Sequence, residues 1–175
     1  VEQQHAEAFR AWGVDVDVPS LEELVRRFRG QPQPVIDQLV AGLGNWDLDQ
    51  KRPTEPDARL RKLLELANAL DPDPSRVELR RLRAEGKPEQ KREDLLKRAD
   101  TLDPAKESVL TVVTLVDTLH QAAWPEAGFD AGLDRRAEQI LRKALTERPG
   151  EVVLLAKLCQ LLKRQQRLDE AAGFY

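Results

Sequence analysis

Residues 134–149, DRRAEQILRKALTERP, decide the fold of this chain. Ala137, Leu141 and Ala144 recur at the i, i+4, i+7 spacing that places side chains on one face of an α-helix. Pro149 ends this helix, because proline lacks a backbone N–H, and it can begin the next one. Ala144 is small enough to let a second helix approach closely. The stretch therefore predicts a helix that packs tightly against its neighbours.

The same spacing of alanine and proline occurs twice more, as ANALDP at 67–72 and as ADTLDP at 99–104. The alanines are 32 residues apart (67 to 99) and then 45 residues apart (99 to 144). Helix pairs that repeat about every 34 residues are typical of tetratricopeptide arrays. The chain is therefore expected to contain a repeated helical unit, with an insertion in one copy.

Helical patterns also cover most of the remaining chain, and no segment has a convincing strand pattern. One helix is predicted near His5–Trp12, and Ser20-Leu-Glu-Glu23 is a capping box that begins another. The β-branched run Val109–Val116 keeps helical spacing, so we expect a helix there as well.

Gly, Pro and Asn collect at 44–57, Gly and Pro collect at 122–133, and we expect loops there. A further short loop is expected at 14–19. The segment 44–57 is the best candidate linker. We therefore expect an all-α protein with an N-terminal helical subdomain at 1–50 and helical repeats at 57–175.

The C-terminal part resembles the tetratricopeptide family. The family order of a small residue, a large residue, alanine and proline is met by Ala137, Leu141, Ala144 and Pro149. The anchor positions that follow are met by Leu155, Leu158, Cys159, Leu162, Ala171 and Tyr175. The chain departs from the family where leucines replace the usual tryptophan and tyrosine, and where Gln166 replaces the turn glycine.

This resemblance implies antiparallel helix pairs stacked as a right-handed α-solenoid, with an irregular N-terminal subdomain and a last repeat cut short. In such arrays the first helix of each pair lines a concave groove. Carried over residue by residue, the resemblance implies a protein-binding groove formed by Thr111, Leu115, Thr118, Val153, Ala156, Gln160, Lys163 and Arg164. This mixed, lightly basic set suits a peptide or a helix of a partner protein. The alternative is that the face packs on a neighbouring repeat or binds nothing.

A second resemblance covers the front of the chain. AFRAWGVDV at 8–16 and LLELANALDPDPSRVELRRL at 63–82 are similar to the helical region of large multidomain bacterial serine/threonine protein kinases. In those proteins a kinase domain precedes such a region and tetratricopeptide repeats. The sequence has no Gly-rich loop, His-Arg-Asp or Asp-Phe-Gly motif, so the resemblance implies a non-catalytic part.

Charge and composition narrow the class of partner. The net charge is −3, which disfavours a dedicated nucleic-acid binder. The apolar runs fall far short of the roughly 20 residues that a membrane span needs, so we expect no membrane insertion. We interpret the chain as an excised fragment of a longer protein, because it begins with Val1 and ends inside a helical pattern. We expect a cytoplasmic location.

No catalytic, cofactor or metal site is expected. The histidines are His5 and His120, and the single cysteine is Cys159. None of them lies in a spacing typical of a metal site, and no Gly-rich phosphate loop occurs. We expect Cys159 to be buried at a helix contact, His120 to cap its helix or lie at the surface, and His5 to be partly buried.

Three tryptophans leave alternatives open. Trp12 belongs to a helical stripe and is expected in the core. Trp46 and Trp124 lie in predicted loops, where each either anchors a partner or folds over the core. Together these features predict a non-catalytic scaffold or regulatory module that binds another protein and is attached to a signalling kinase. The alternative is a structural or oligomerisation segment of a larger protein.

Overall fold

The computed structural model describes residues 7, 10, 11, 20–49, 58–84, 88–123 and 130–174, with the side chains of 44–49, 58–60, 84, 88 and 89 excepted. All regular secondary structure in these residues is helical, as predicted. The helices are α1 Leu21–Phe28, α2 Gln33–Asp49, α3 Ala58–Leu70, α4 Pro74–Ala84, α5 Pro88–Thr101, α6 Val109–Ala122, α7 Ala131–Glu147, α8 Val152–Arg164 and α9 Leu168–Ala172.

The chain divides into two compact units, Val1–Val77 and Glu78–Tyr175. In the first unit, α3 packs against α1 and α2. The shared core contains Leu24, Phe28, Ile36, Leu39, Val40, Leu43, Leu63, Leu66 and Ala67. This boundary differs from the one expected at 50–57, because the apolar stripe of α3 completes the core of the preceding helices.

A buried ion pair fixes the turn between α3 and α4. Arg76 donates from Nη2 to Asp71 Oδ1 at 2.5 Å and from Nε to Asp71 Oδ2 at 2.7 Å. The hydrogen bond to Asp71 raises the pKa of Arg76 despite partial burial. Asp73 Oδ1 accepts from the amide of Arg76 at 3.0 Å, so the start of α4 is capped as well.

In the second unit, α7 packs against α5, α6 and α8, and α9 packs against α8. Ala137 and Ala144 on α7 are completely buried, as is Leu141 between them. Ala99, the alanine of the second Ala–Pro spacing, is 3% exposed. The small residues that were singled out in the sequence therefore lie in the core.

Two predicted loops are shorter than expected. Residues 44–49 are helical, so the predicted linker at 44–57 is corrected at its start, and Trp46 lies in α2 rather than in a loop. At 122–133 the helix α7 already begins at Ala131, because Asp130 caps it by accepting from the amides of Gly132 at 2.8 Å and Leu133 at 3.3 Å. A Cβ at residue 132 would lie 3.0 Å from Asp130 Oδ1, so glycine permits this cap.

Other element predictions are confirmed where they can be compared. Val109–Val116 is helical, and Ser20 Oγ accepts from the amide of Glu23 at 3.2 Å, as the capping box requires. The predictions for His5, Trp12, Trp124, Tyr175 and the loop at 14–19 fall outside the described residues.

Gln166 closes α8 in a left-handed backbone conformation, with φ 62°. The amide of Gln166 donates to Lys163 O at 3.0 Å, and the amide of Arg167 donates to Leu162 O at 2.9 Å. These bonds form a Schellman motif, in which the position of Gln166 is normally occupied by glycine. Gln166 therefore adopts this turn conformation although it has a Cβ.

Replacing Gln166 with glycine is expected to stabilise the protein by about 0.5–1 kcal/mol. The left-handed conformation costs a residue with a Cβ roughly 1–2 kcal/mol, and the extra entropy of glycine in the unfolded chain offsets part of the gain. Urea unfolding measures the change. Gln160→Gly, at an exposed site inside α8, is the matched control and should lose about 1 kcal/mol. Equal destabilisation by both substitutions would contradict the strain assigned to Gln166.

Candidate functional site

One side of α8 is exposed and mixed in character. We call it the α8 face, and it consists of Val152, Val153, Ala156, Gln160, Lys163 and Arg164. Val152 is 72% exposed and Val153 is 48% exposed, so two neighbouring apolar side chains face solvent here. From Val153 to Arg164 the face is about 16 Å long, at 1.5 Å per residue. Its apolar part lies at the N-terminal end of α8 and its basic part at the C-terminal end.

The opposite side of α8 is firmly packed. Leu154, Leu158, Cys159, Leu161 and Leu162 are all buried. Lys157 Nζ donates to both carboxylate oxygens of Asp117 on α6, at 2.8 and 2.9 Å. The side chains of this pair are only 17% and 18% exposed, so water screens it less than a surface pair. The α8 face is therefore presented by a helix whose position is fixed.

Five of the eight predicted groove residues lie on this face, and three do not. Thr111 and Thr118 are each 1% exposed and Leu115 is completely buried, so the structure excludes these α6 residues from an exposed groove wall. The hydroxyl of Thr118 donates to Thr114 O at 2.7 Å, and that of Thr111 pairs with Ser108 Oγ at 2.9 Å. Threonine can be buried here because its hydroxyl bonds locally.

A chain of polar side chains joins α6, α7 and the end of α8. His120 Nδ1 lies 2.7 Å from Asp134 Oδ1, and Asp134 is only 2% exposed. Gln165 Nε2 donates to the other oxygen of Asp134 at 3.0 Å. Arg164 Nη1 contacts His120 Nε2. Because guanidinium only donates, Nε2 is the acceptor and Nδ1 carries the ring proton, which it donates to Asp134.

Asp134 is held as a carboxylate in this chain. Burial raises its pKa, but the hydrogen bonds from His120 and Gln165 and the positive charge nearby lower the pKa further, so the net shift is downward. A buried charge with these partners is anchored rather than exposed to solvent. His120, for which we expected a capping or surface role, is instead an internal hydrogen-bonding residue, with a side chain 12% exposed.

A second polar network holds α9 against α7. Arg167 donates from Nη1 to Glu138 Oε2 at 2.7 Å and from Nε to Glu170 Oε1 at 2.6 Å. Arg142 on α7 contacts both of these glutamates, at 2.9 Å and 3.1 Å. Burial raises the pKa of Glu138, and the two arginines lower it by more. These contacts hold the short helix α9 against α7.

The thiol of Cys159 is enclosed in the core of the second unit. Cys159 is 3% exposed, as predicted, and its Sγ donates to Ala171 O at 3.7 Å. Within the part of the chain that the structure describes, His, Cys, Asp and Glu side chains form no group of three that would hold a metal ion. The helices described there also lack the length and apolar character that crossing a membrane requires.

Comparison with known proteins leaves the geometry as the guide to function. No protein-family model, no curated protein and no solved structure matches this chain. Nothing in the local sequence marked the contact between His120 and Asp134, because the two residues lie on different helices.

Asp134→Asn is expected to lower the free energy of unfolding by about 1–3 kcal/mol near neutral pH, because it removes a charged acceptor from buried donors. The pKa of Asp134 is lowered in the folded protein, so its contribution is present above its ordinary pKa of 3.8 and is lost as the pH falls below that value. The difference between wild type and variant should therefore shrink in urea titrations at decreasing pH.

The control is Asp100→Asn, which alters a 69% exposed carboxylate paired with Arg136. It should change the free energy of unfolding by less than about 1 kcal/mol. A difference between wild type and Asp134→Asn that stays constant down to the lowest pH would contradict the role assigned to the Asp134 carboxylate.

Proposed function

We propose that this chain is a non-catalytic protein-interaction module that binds a partner on the α8 face. The observation that carries the proposal is the combination on one fixed helix of exposed Val152 and Val153 with exposed Lys163 and Arg164. Exposed apolar side chains next to polar ones are a common feature of protein-binding surfaces. The partner is a protein or peptide rather than a nucleic acid, since the chain carries a net charge of −3.

We further propose that the second unit is built from stacked helix pairs of the tetratricopeptide type. Successive helices contact both the next helix and the one after it: α5 contacts α6 and α7, and α6 contacts α7 and α8. This pattern supports an α-solenoid, in which each pair packs only on its neighbours. The burial of Ala137, Ala144 and Ala171, which occupy the small positions of the repeat pattern, supports it as well.

The absence of catalysis is part of the proposal. Both ring nitrogens of His120 are engaged, one by Asp134 and one by Arg164, so neither is directed at a nucleophile. Cys159 lies in the core. We also propose that the module belongs to a signalling serine/threonine kinase, and a Gly-rich loop with His-Arg-Asp and Asp-Phe-Gly motifs elsewhere in the same gene would support this link.

Charge reversal on the α8 face is expected to abolish capture of a partner. The immobilised chain is used to capture proteins from a lysate, and the captured protein is then titrated against purified variants by calorimetry. Lys163→Glu combined with Arg164→Glu should weaken binding at least tenfold, because opposite charges are replaced by like charges. Val153→Asp should weaken it to a similar extent by placing a charge in the apolar part.

The matched control is Arg26→Glu combined with Arg27→Glu, which makes the same change of charge on exposed positions of α1. Binding should be unchanged in this control. If the control loses the partner and the α8 variants keep it, the proposed surface is wrong. Concentration-dependent self-association with no other partner would favour a structural or oligomerisation segment, a role to which the exposed Leu168 and Phe174 would be suited.

A further inference from the structure

The guanidinium group of Arg164 is held at one corner and open along one edge. Its Nη1 is engaged by His120 Nε2. Among the described residues, neither Nε nor Nη2 has a hydrogen bond or an ion pair, and the residue is exposed. The Nε and Nη2 hydrogens point in parallel from the same edge of a guanidinium and match the two oxygens of a carboxylate.

His120, which contacts Nη1 of Arg164, is itself held in place by a buried residue. Asp134 is buried and receives hydrogen bonds from His120 and from Gln165, so the imidazole ring has a defined orientation. The ring in turn holds one corner of the guanidinium. A side chain that is already restrained loses less rotamer entropy on binding.

The surroundings of Arg164 indicate what it binds. The segment 152–164, VVLLAKLCQLLKR, contains no acidic residue, and its basic residues are Arg164, Lys163 and Lys157, of which Lys157 is paired with Asp117. The α8 face therefore has an apolar part at the start of α8 and a basic end, and α8 itself contributes no acidic residue beside that end. A helix with an apolar stripe and an acidic residue at one end complements both parts in charge and polarity.

We propose that Asp134 and His120 position Arg164 to bind the carboxylate of an acidic side chain on an amphipathic helix that docks on the α8 face. The proposal rests on the proposed function and specifies its ligand. His120 and Asp134 are positioning residues, which act on the ligand only through Arg164. The carboxylate binds by two parallel N–H···O bonds, and no covalent step is involved.

The first test is spectroscopic and needs no ligand. Nitrogen NMR of the whole chain should show His120 as the tautomer protonated on Nδ1, with its signal identified by comparison with His5→Gln. Arg164→Lys should alter the His120 Nε2 resonance, whereas Arg135→Lys, at an exposed site on α7, should leave it unchanged. A His120 ring protonated on Nε2 in the wild type would overturn the proposal.

The second test uses a defined probe. The probe is a capped peptide of about four helical turns with a leucine stripe and glutamates at one end, and its control carries glutamines instead. The wild type should prefer the glutamate peptide by about tenfold, as a charge-assisted bidentate contact implies. Arg164→Lys, which keeps the charge but loses the planar edge, should lose most of this preference.

Two substitutions of His120 separate positioning from general stability. His120→Asn retains a donor near the place of Nδ1 but has no acceptor within reach of Arg164, so the preference for glutamate should be lost. His120→Gln places an amide oxygen near the position of Nε2 and should recover part of it. Thermal melts verify that each variant is folded, and Arg164→Lys tests the same contact from the solvent side.

The outcomes separate the two proposals. Equal preference for glutamate in wild type and His120→Asn would overturn the positioning role. Failure of both peptides to bind would overturn the carboxylate ligand, while the interaction module itself would still be judged by the captured partner. Loss of preference in His120→Asn with recovery in His120→Gln would establish the positioning role.

Discussion

The close packing of α7 is the constraint on which the second unit depends. This helix contacts α5, α6 and α8, and it can do so because Ala137 and Ala144 present almost no side chain at the contacts. Packing at this density leaves little room for relaxation, so even a single added methylene group is costly. The positions of α6 and α8, and with them the α8 face, follow from where α7 allows its neighbours to lie.

Polar contacts around the rim of α7 set the register of the helices. Arg136 pairs with Asp100 on α5, Lys143 pairs with Asp103, and Glu138 pairs with Arg167 next to α9. Arg148, just after α7, donates to the carbonyls of Ala105 and Glu107 at 2.8 Å and 2.7 Å. Exposed ion pairs of this kind contribute little stability individually. Their directional geometry instead favours one arrangement of the helices among those that bury the same apolar area.

The residues that were predictable from sequence are those that obey a local rule. Apolar spacing identified Ala137, Leu141 and Ala144, and the order of small and large residues placed Cys159 in the core. Thr111, Leu115 and Thr118 were assigned to the groove by carrying the repeat pattern over, and the structure buries all three. The two threonines can be buried because their hydroxyls bond to Ser108 and Thr114 nearby in the chain, and no pattern of residue types reveals those bonds.

The features that escaped prediction depend on contacts between distant residues or on backbone shape. His120 meets Asp134 only because α6 and α7 are packed side by side, and the residues between them carry no signal of that contact. Gln166 adopts the glycine conformation because the Schellman bonds at the end of α8 and the ion pairs of the next residue, Arg167, both require the turn. The turn therefore forms with a side chain at a position that glycine normally occupies.

Arg164 on the α8 face is connected to the core through His120 and the buried Asp134. In water a lone guanidinium on a flexible side chain gains little from an ion pair, because ordering the side chain and screening by salt offset the attraction. Arg164 differs because the carboxylate of Asp134, charged and buried, orients the imidazole that contacts it. The Arg164 side chain therefore loses rotamer entropy on folding rather than on binding. A surface that is modest in area can discriminate between ligands on this basis, since preorganisation rather than buried area separates strong contacts from weak ones.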